Sequence, residues 1–206
     1  MDNLYDVCHG AGGMTLHTWE IDPKRLVFQL ARYKWVAKML QGKASVLEVG
    51  CADGFGSRIV RQHVGRLTAI DIDPDSIAEA KARMSPSWPI GFEFGDIMSE
   101  RDRYQQFDGV YCLDLFEHIV KWDTLLGRLV RAAPVCIIGT PSLESQQYAS
   151  DLSRQGHCNC MTGEDLRKAC LRYWDHVFMF SMNDEVVGTG FLPMAHYLLA
   201  LCVRGH

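Results

Sequence analysis

The 206-residue chain lacks the features that would place it in several specialised classes of protein. No apolar run approaches the roughly 18 residues of a membrane span, so we expect no membrane segment. Internal repeats and low-complexity segments are missing as well. An overall basic charge is also missing, since the net charge is −4. Tight nonspecific binding of nucleic acid needs a basic surface, and nucleic acid is therefore disfavoured as a partner.

The eight cysteines do not form the spaced pairs of a disulfide framework. Cys112, Cys136 and Cys202 lie inside apolar segments that predict buried strands. Buried, reduced thiols are typical of cytosolic proteins, and no secretory signal pattern is present at the first residues. We therefore expect a cytoplasmic protein.

The length and the hydrophobic content predict one folded domain, which we place at residues 23–206. Residues 1–22 show no hydrophobic period, which is typical of an N-terminal arm or lid and equally of a disordered terminus. From Pro23 onward, apolar residues recur at helical spacing until Gly42, and this pattern predicts a helix.

Strand-like and helix-like segments alternate along the rest of the chain. The last two strand-like segments, residues 177–182 and 197–203, have no helix between them. Alternation of this kind predicts an α/β fold, Rossmann-like and doubly wound. We expect a mostly parallel seven-stranded sheet with an antiparallel edge strand.

A glycine-rich loop follows the first predicted strand, residues 45–49. Its glycines, at positions 50, 54 and 56, let the backbone turn sharply and approach a ligand at the start of a helix. A second predicted strand brings Asp71 to its carboxyl end, about 21 residues after Gly50, where an open α/β sheet binds a ribose. The pattern predicts a nucleotide-binding unit.

Nicotinamide-dependent dehydrogenases and class I S-adenosylmethionine (SAM) methyltransferases share this arrangement. The glycines here depart from the Gly-x-Gly-x-x-Gly fingerprint of the dehydrogenases. Glu48, an acid inside the first strand, would repel a pyrophosphate, whereas SAM has no phosphate and carries a sulfonium and an ammonium. The charge pattern favours SAM as the cofactor.

The order of these motifs over residues 25–203 resembles that of class I SAM-dependent methyltransferases. The resemblance implies that the glycine loop holds the methionine part of SAM and that Glu48 orients this loop. It also implies that Asp71 binds the ribose hydroxyls and that Asp96 holds the adenine. Ala52 stands where the family usually has Gly, and we expect a tightened loop there. The cofactor-binding residues implied by the resemblance are Glu48, Gly50, Ala52, Asp53, Gly54, Asp71, Ile72, Asp96, Ile97 and Leu113.

Two carboxylates and an imidazole follow the fourth predicted strand, in the order Asp114, Glu117 and His118. On one helical turn these side chains would share a face and hold a divalent cation. The pattern resembles the acid-x-x-Glu-His motif of ubiquinone-pathway and small-RNA O-methyltransferases. This second resemblance implies a Mg²⁺ or Mn²⁺ site that His157 completes, from the loop at residues 142–161. Asp114 departs from the family's Glu by its shorter side chain.

The predicted activity is O-methylation of a hydroxyl on a small molecule or a glycan sugar, with His157 and His118 as catalytic residues. Without a metal, Asp114 would cap a helix and His157 would act as the general base. A SAM-binding domain without catalysis and a nicotinamide oxidoreductase remain alternatives. A homodimer is also left open.

Overall fold

The structure is a computed structural model that describes residues 13–100, 102–149, 151–189 and 195–205. Residues 1–12 of the predicted arm lie outside the described residues. The rest of the arm contains a helix, α1 (Gly13–Ile21), and none of its residues is buried. A helix without a buried face has no hydrophobic period, which is why the sequence pattern does not predict it. No helix in the described part of the chain is long and apolar enough to cross a membrane.

Eight strands and seven α-helices make up the described chain. The strands are β1 (Ser45–Val49), β2 (Arg66–Asp71), β3 (Gly91–Phe94), β4 (Gly109–Leu113), β5 (Val135–Pro141), β6 (His176–Asn183), β7 (Val186–Gly188) and β8 (Tyr197–Val203). The remaining helices are α2 (Pro23–Met39), α3 (Ser57–Arg61), α4 (Pro74–Ala82), α5 (Trp122–Ala132), α6 (Asp151–Gly156) and α7 (Gly163–Cys170).

The strands form one sheet in the order β3-β2-β1-β4-β5-β8-β6-β7. Strands β1 to β5 are parallel, whereas β8 runs antiparallel to both β5 and β6. The predicted fold class is confirmed, with eight strands instead of seven. The additional strand is β7, which pairs antiparallel with β6 at the sheet edge. Three residues are too few to show an alternating pattern in the sequence, so this strand is not predicted.

Both faces of the sheet are covered by helices. Side chains of α5 and α7 pack on one face, and those of α2 and α4 pack on the other. Every residue of β1 and β4 is consequently buried, and this explains their nearly continuous apolar sequences. The acid Glu48 in β1 is the exception to this apolar pattern.

The order of the strands reverses at the neighbouring pair β1 and β4. Chain connections leave these two strands toward opposite sides of the sheet, and a crevice opens beyond their carboxyl ends. The loop after β1 and the segment after β4 therefore face each other. These two segments carry the glycine motif and the acid-x-x-Glu-His motif.

Candidate cofactor and metal site

The glycine loop adopts a backbone that side chains disfavour. Gly50 and Gly54 have positive φ angles of 81° and 68°, and Ala52 has a φ of 47°. A Cβ atom added at Gly54 would lie 2.5 Å from the ring of Phe92. Glycine is therefore required at position 54 for both its conformation and its packing. Ala52 retains the left-handed turn that the family's Gly would form, at a cost of about 1 kcal/mol.

Asp71 ties the glycine loop to the end of β2. Its Oδ2 accepts the Ala52 N–H at 2.8 Å, and its Oδ1 accepts the Asp73 N–H at 2.9 Å. The Gly50 N–H donates to the Ile70 carbonyl at 2.8 Å. These bonds hold the carboxylate at the carboxyl end of β2, the position expected of a ribose-binding acid.

Two cavities lie on either side of Gly50. The larger, of about 150 Å³, is lined by loop residues and by residues from α1, α2 and the end of β4. The smaller, of about 90 Å³, lies at the ends of β1 and β2. Between them they bring together most of the predicted cofactor residues. The larger is lined by Gly50, Ala52, Asp53 and Leu113, and the smaller by Gly50, Asp71, Ile72, Asp96 and Ile97.

Helix α1 closes one side of the larger cavity. The Thr15 N–H donates to Asp53 Oδ2 at 2.9 Å, and the Gly13 N–H donates to Glu79 Oε2 at 2.9 Å. Asp53 belongs to the glycine loop, so the first turn of α1 is attached directly to the cofactor-binding backbone. The lid function expected of the N-terminal arm stays a prediction.

Glu48 lies beneath the loop with 1% of its surface exposed. Burial raises the pKa of its carboxyl to about 7, and this is the largest influence on the group. The hydroxyls of Ser57, Tyr111 and Tyr33 face the carboxyl and lower its pKa, whereas the charge of Asp71 raises it. Glu48 thus lies among side chains of α3, β4 and α2 beneath the glycine loop, and its loop-orienting role stays what the resemblance implies.

Glu48→Gln is expected to reduce the fall in the free energy of unfolding between pH 4.5 and pH 7. The folded pKa of about 7 exceeds the ordinary 4.5, so the folded state keeps a proton that the unfolded state releases. This stabilisation is complete below pH 4.5 and is lost as the pH rises through 7. This difference in pKa corresponds to a change of roughly 3 kcal/mol at most in the free energy of unfolding. Urea unfolding at several pH values measures the free energy of unfolding, with Glu20→Gln at an exposed position as control. The same dependence on pH in wild type and Glu48→Gln would contradict the prediction.

Glu117, His118 and His157 form a group with metal-binding chemistry. Each offers a ligand atom, and these atoms lie within 4.8 Å of one another. Glu117 and His118 belong to a short 3₁₀ helix (Phe116–His118) after β4, and His157 follows α6. The two imidazole rings are edge to face with centroids 5.2 Å apart. The structure therefore assembles three of the four predicted metal ligands.

Each histidine ring is oriented by a hydrogen bond at its Nδ1 atom. His118 Nδ1 lies 2.9 Å from the Gly156 carbonyl oxygen, and His157 Nδ1 lies 2.9 Å from Gln146 Oε1. In a neutral imidazole, an Nδ1 proton donated to such an oxygen leaves the lone pair on Nε2, which can then bind a metal. Burial is the main cause that lowers the pKa of His157, and the charge of the nearby His118 lowers it further. A neutral His157 is suited to binding a metal or accepting a proton.

Glu117 is almost completely buried, and the Thr140 hydroxyl donates to its Oε2 at 3.1 Å. Burial raises its pKa to about 8, and the charge of Asp114 contributes in the same direction. A carboxyl that is costly to ionise in isolation gains from a neighbouring cation. The donor set of one carboxylate and two imidazoles therefore fits a divalent metal ion.

The segment after α6 is attached to the 3₁₀ helix by its backbone. The N–H groups of Cys158 and Asn159 donate to the Glu117 carbonyl at 2.9 and 3.0 Å, and Asn159 Nδ2 donates to the Phe116 carbonyl at 3.2 Å. These bonds bring His157 to the site. The sequence analysis missed Asn159 and Gln146, because neither belongs to a recognisable motif.

Asp114 is the predicted ligand that the structure does not bring to this group. Its carboxylate forms an ion pair with Arg32 of α2, with Nη1 at 2.6 and 2.8 Å from the two oxygens. Asp114 has a φ of 53°, and the 3₁₀ helix begins two residues later. The expected shared face required one α-helical turn from Asp114 to His118. The left-handed residue at 114 removes that turn and directs the side chain elsewhere.

Comparison with known proteins identifies the domain. The family described as "Methyltransferase domain" matches residues 46–133, which contain the glycine loop and the 3₁₀ helix. This chain carries a class I SAM-dependent methyltransferase domain. The cofactor implied by that domain is SAM, in agreement with the two cavities around Gly50.

Two curated relatives match the methyltransferase domain over part of their length. An uncharacterized methyltransferase of Mycobacterium tuberculosis is 33% identical over 88 residues, which are 43% of this chain and 44% of the relative. A ubiquinone biosynthesis O-methyltransferase of Pseudomonas fluorescens is 32% identical over 93 residues, 43% of this chain and 39% of the relative. The match therefore spans less than half of either relative.

Solved structures resemble the methyltransferase fold over the full chain. A methyltransferase from a complex with the Haloferax volcanii Trm112 activator has a TM-score of 0.75 at 15% identity, with 100% of both chains covered. The N-methyltransferase NodS from Bradyrhizobium japonicum, in complex with S-adenosyl-L-homocysteine, has a TM-score of 0.65 at 19% identity, again with complete coverage. At these identities the likeness concerns the fold.

Proposed function

We propose that the protein is a SAM-dependent O-methyltransferase whose acceptor is a hydroxyl of a small molecule or a glycan sugar. We further propose that Mg²⁺ or Mn²⁺ assists it at Glu117, His118 and His157. The observation that carries the proposal is the position of this group directly after β4, whose end lines the larger cofactor cavity with Leu113 and Asp114. The partly matching ubiquinone biosynthesis O-methyltransferase supports a hydroxyl acceptor.

The chain's residues would prepare an in-line transfer of the methyl group. The glycine loop and Asp71 hold the cofactor on one side of the crevice, and the 3₁₀ helix with His157 forms the opposite side. A divalent cation would lower the pKa of the acceptor hydroxyl at this position. Thr140, Gly156 and Gln146 hold the ligand side chains in place, so little reorganisation is needed before the reaction.

A metal-free version of the reaction is the second candidate. It is supported by the lowered pKa of His157, which keeps the imidazole neutral, and by the bond from its Nδ1 to Gln146. The lone pair on Nε2 would then take the proton from the acceptor hydroxyl as a general base. A domain that binds SAM without catalysis is the remaining alternative.

Asp71→Asn is expected to weaken S-adenosylhomocysteine binding by about 10- to 100-fold, because it removes a charged acceptor from the loop and the ribose position. Calorimetric titration measures the affinity. Asp73→Asn is the matched control, since Asp73 lies two residues away, is exposed, and caps α4. Tighter binding of NADH than of S-adenosylhomocysteine by the wild type would contradict the methyltransferase proposal.

A further inference from the structure

Asp114, which lines the larger cavity, forms an ion pair with Arg32 of α2. The Arg32 side chain is 11% exposed, and its guanidinium carbon lies 3.7 Å from the centre of the Tyr197 ring. The Tyr197 hydroxyl accepts the Asp114 N–H at 3.2 Å. Asp114 is therefore held by α2 through its carboxylate and by β8 through its backbone.

We propose that the metal centre of this chain has three protein ligands, and that Asp114 binds the ammonium group of the cofactor's methionine part instead. The inference rests on the proposed function. It concerns how the four residues that the sequence motif groups together are divided between two ligands.

Geometry supports the exclusion of Asp114 from the metal site. Among the described residues, the group with ligand atoms within 4.8 Å of one another consists of Glu117, His118 and His157. Movement of Asp114 to that group would leave the Arg32 guanidinium without its carboxylate in a buried position, which is unfavourable. The remaining donor set, rich in imidazole, favours Mn²⁺ over Mg²⁺.

The second half of the proposal follows from the place and charge of Asp114. The residue lines the larger cavity together with Gly50 and Leu113, and its side chain is 40% exposed. The methionine part of SAM carries an ammonium, and a carboxylate oxygen accepts hydrogen bonds from such a group. Arg32 fixes the direction of the Asp114 carboxylate, because its Nη1 atom contacts both oxygens. Since one nitrogen makes both contacts, each oxygen can still accept a hydrogen bond from another donor.

Calorimetric titration of Asp114→Asn and Glu117→Gln separates the two roles. We expect Asp114→Asn to weaken S-adenosylhomocysteine binding by about tenfold or more, since the negative charge that strengthens the bond to the ammonium is removed. When Asp114→Asn is saturated with S-adenosylhomocysteine, its affinity for Mn²⁺ should differ from that of the wild type by less than about threefold. Glu117→Gln should show the opposite pattern, with Mn²⁺ binding weakened by about 100-fold and cofactor affinity retained.

An analogue of S-adenosylhomocysteine without the amino group tests the ammonium contact itself. Wild type and Asp114→Asn should bind this analogue with affinities within about threefold, because the contact is absent from both complexes. This comparison also reveals a variant that binds poorly for structural reasons, since such a variant would lose affinity for the analogue too. A similar loss of both ligands would overturn the ammonium assignment.

Failure of the inference differs from failure of the proposed function. Mn²⁺ binding that is present in wild type and lost in Asp114→Asn would show that Asp114 is a fourth ligand, and would overturn the three-ligand site. Unchanged cofactor affinity in Asp114→Asn would overturn the ammonium role. Wild type that binds S-adenosylhomocysteine but no Mn²⁺ would refute the metal part of the proposed function and the three-ligand site with it.

Discussion

Methyl transfer to a hydroxyl acceptor is expected to fall by about 100- to 10,000-fold on Glu117→Gln and on treatment of the wild type with excess chelator. Glu117 supplies the only carboxylate of the three-residue group, and the two neutral imidazoles that remain attract a divalent cation weakly. Turnover is measured with radiolabelled SAM. Addition of Mn²⁺ should restore the chelated wild type and leave Glu117→Gln inactive.

The matched control for this prediction is Glu164→Gln, which removes an exposed carboxylate from the first turn of α7. Its turnover and its response to chelator should equal those of the wild type. Full activity of the wild type in excess chelator would refute the metal. Loss of activity in His157→Ala together with chelator resistance would favour His157 as a plain general base.

Gly54→Ala is expected to destabilise the protein and to weaken S-adenosylhomocysteine by at least about tenfold. The new Cβ would lie 2.5 Å from the Phe92 ring at a φ of +68°, so the loop must move. The left-handed backbone costs about 1 to 2 kcal/mol, and the overpacking adds about 1 to 3 kcal/mol. If about 1.4 kcal/mol of this strain must be overcome on binding, the affinity falls by about tenfold.

Gly42→Ala separates the backbone cost from the steric cost. Gly42 follows α2 with a φ of +81°, and a Cβ there would meet no atom within 4 Å. We expect this variant to lose about 1 to 2 kcal/mol of unfolding free energy and to keep its cofactor affinity. Thermal unfolding and calorimetry measure the two quantities. Equal effects of the two substitutions would show that the Phe92 contact does not hold the loop.

The cofactor half of the site could be predicted because its residues lie at the carboxyl ends of neighbouring parallel strands. The glycine loop, Asp71 and Asp96 each follow a strand of the parallel sheet, and parallel strands bring their carboxyl ends to one edge. Once strands and helices alternate, this arrangement follows from the order of the chain. The fold class was predictable for the same reason, whereas the three-residue strand β7 gave no readable pattern.

The metal half was predicted only in part. Glu117 and His118 are adjacent, so their proximity is local, and His157 was placed by the resemblance to a family. Asp114 was grouped with them on the assumption of an α-helical turn. Its φ of 53° and the ion pair with Arg32 give it a different position.

By itself the sequence determined the alternation of strands and helices, the glycine loop and the acids that follow the strands. It thereby determined a class I methyltransferase domain for SAM. Only the tertiary structure decided which charges meet. Arg32 precedes Asp114 by 82 positions, and the Tyr197 ring beneath it comes from β8. The partner of a buried charge depends on the packing of distant elements, and no local pattern in the sequence encodes that packing.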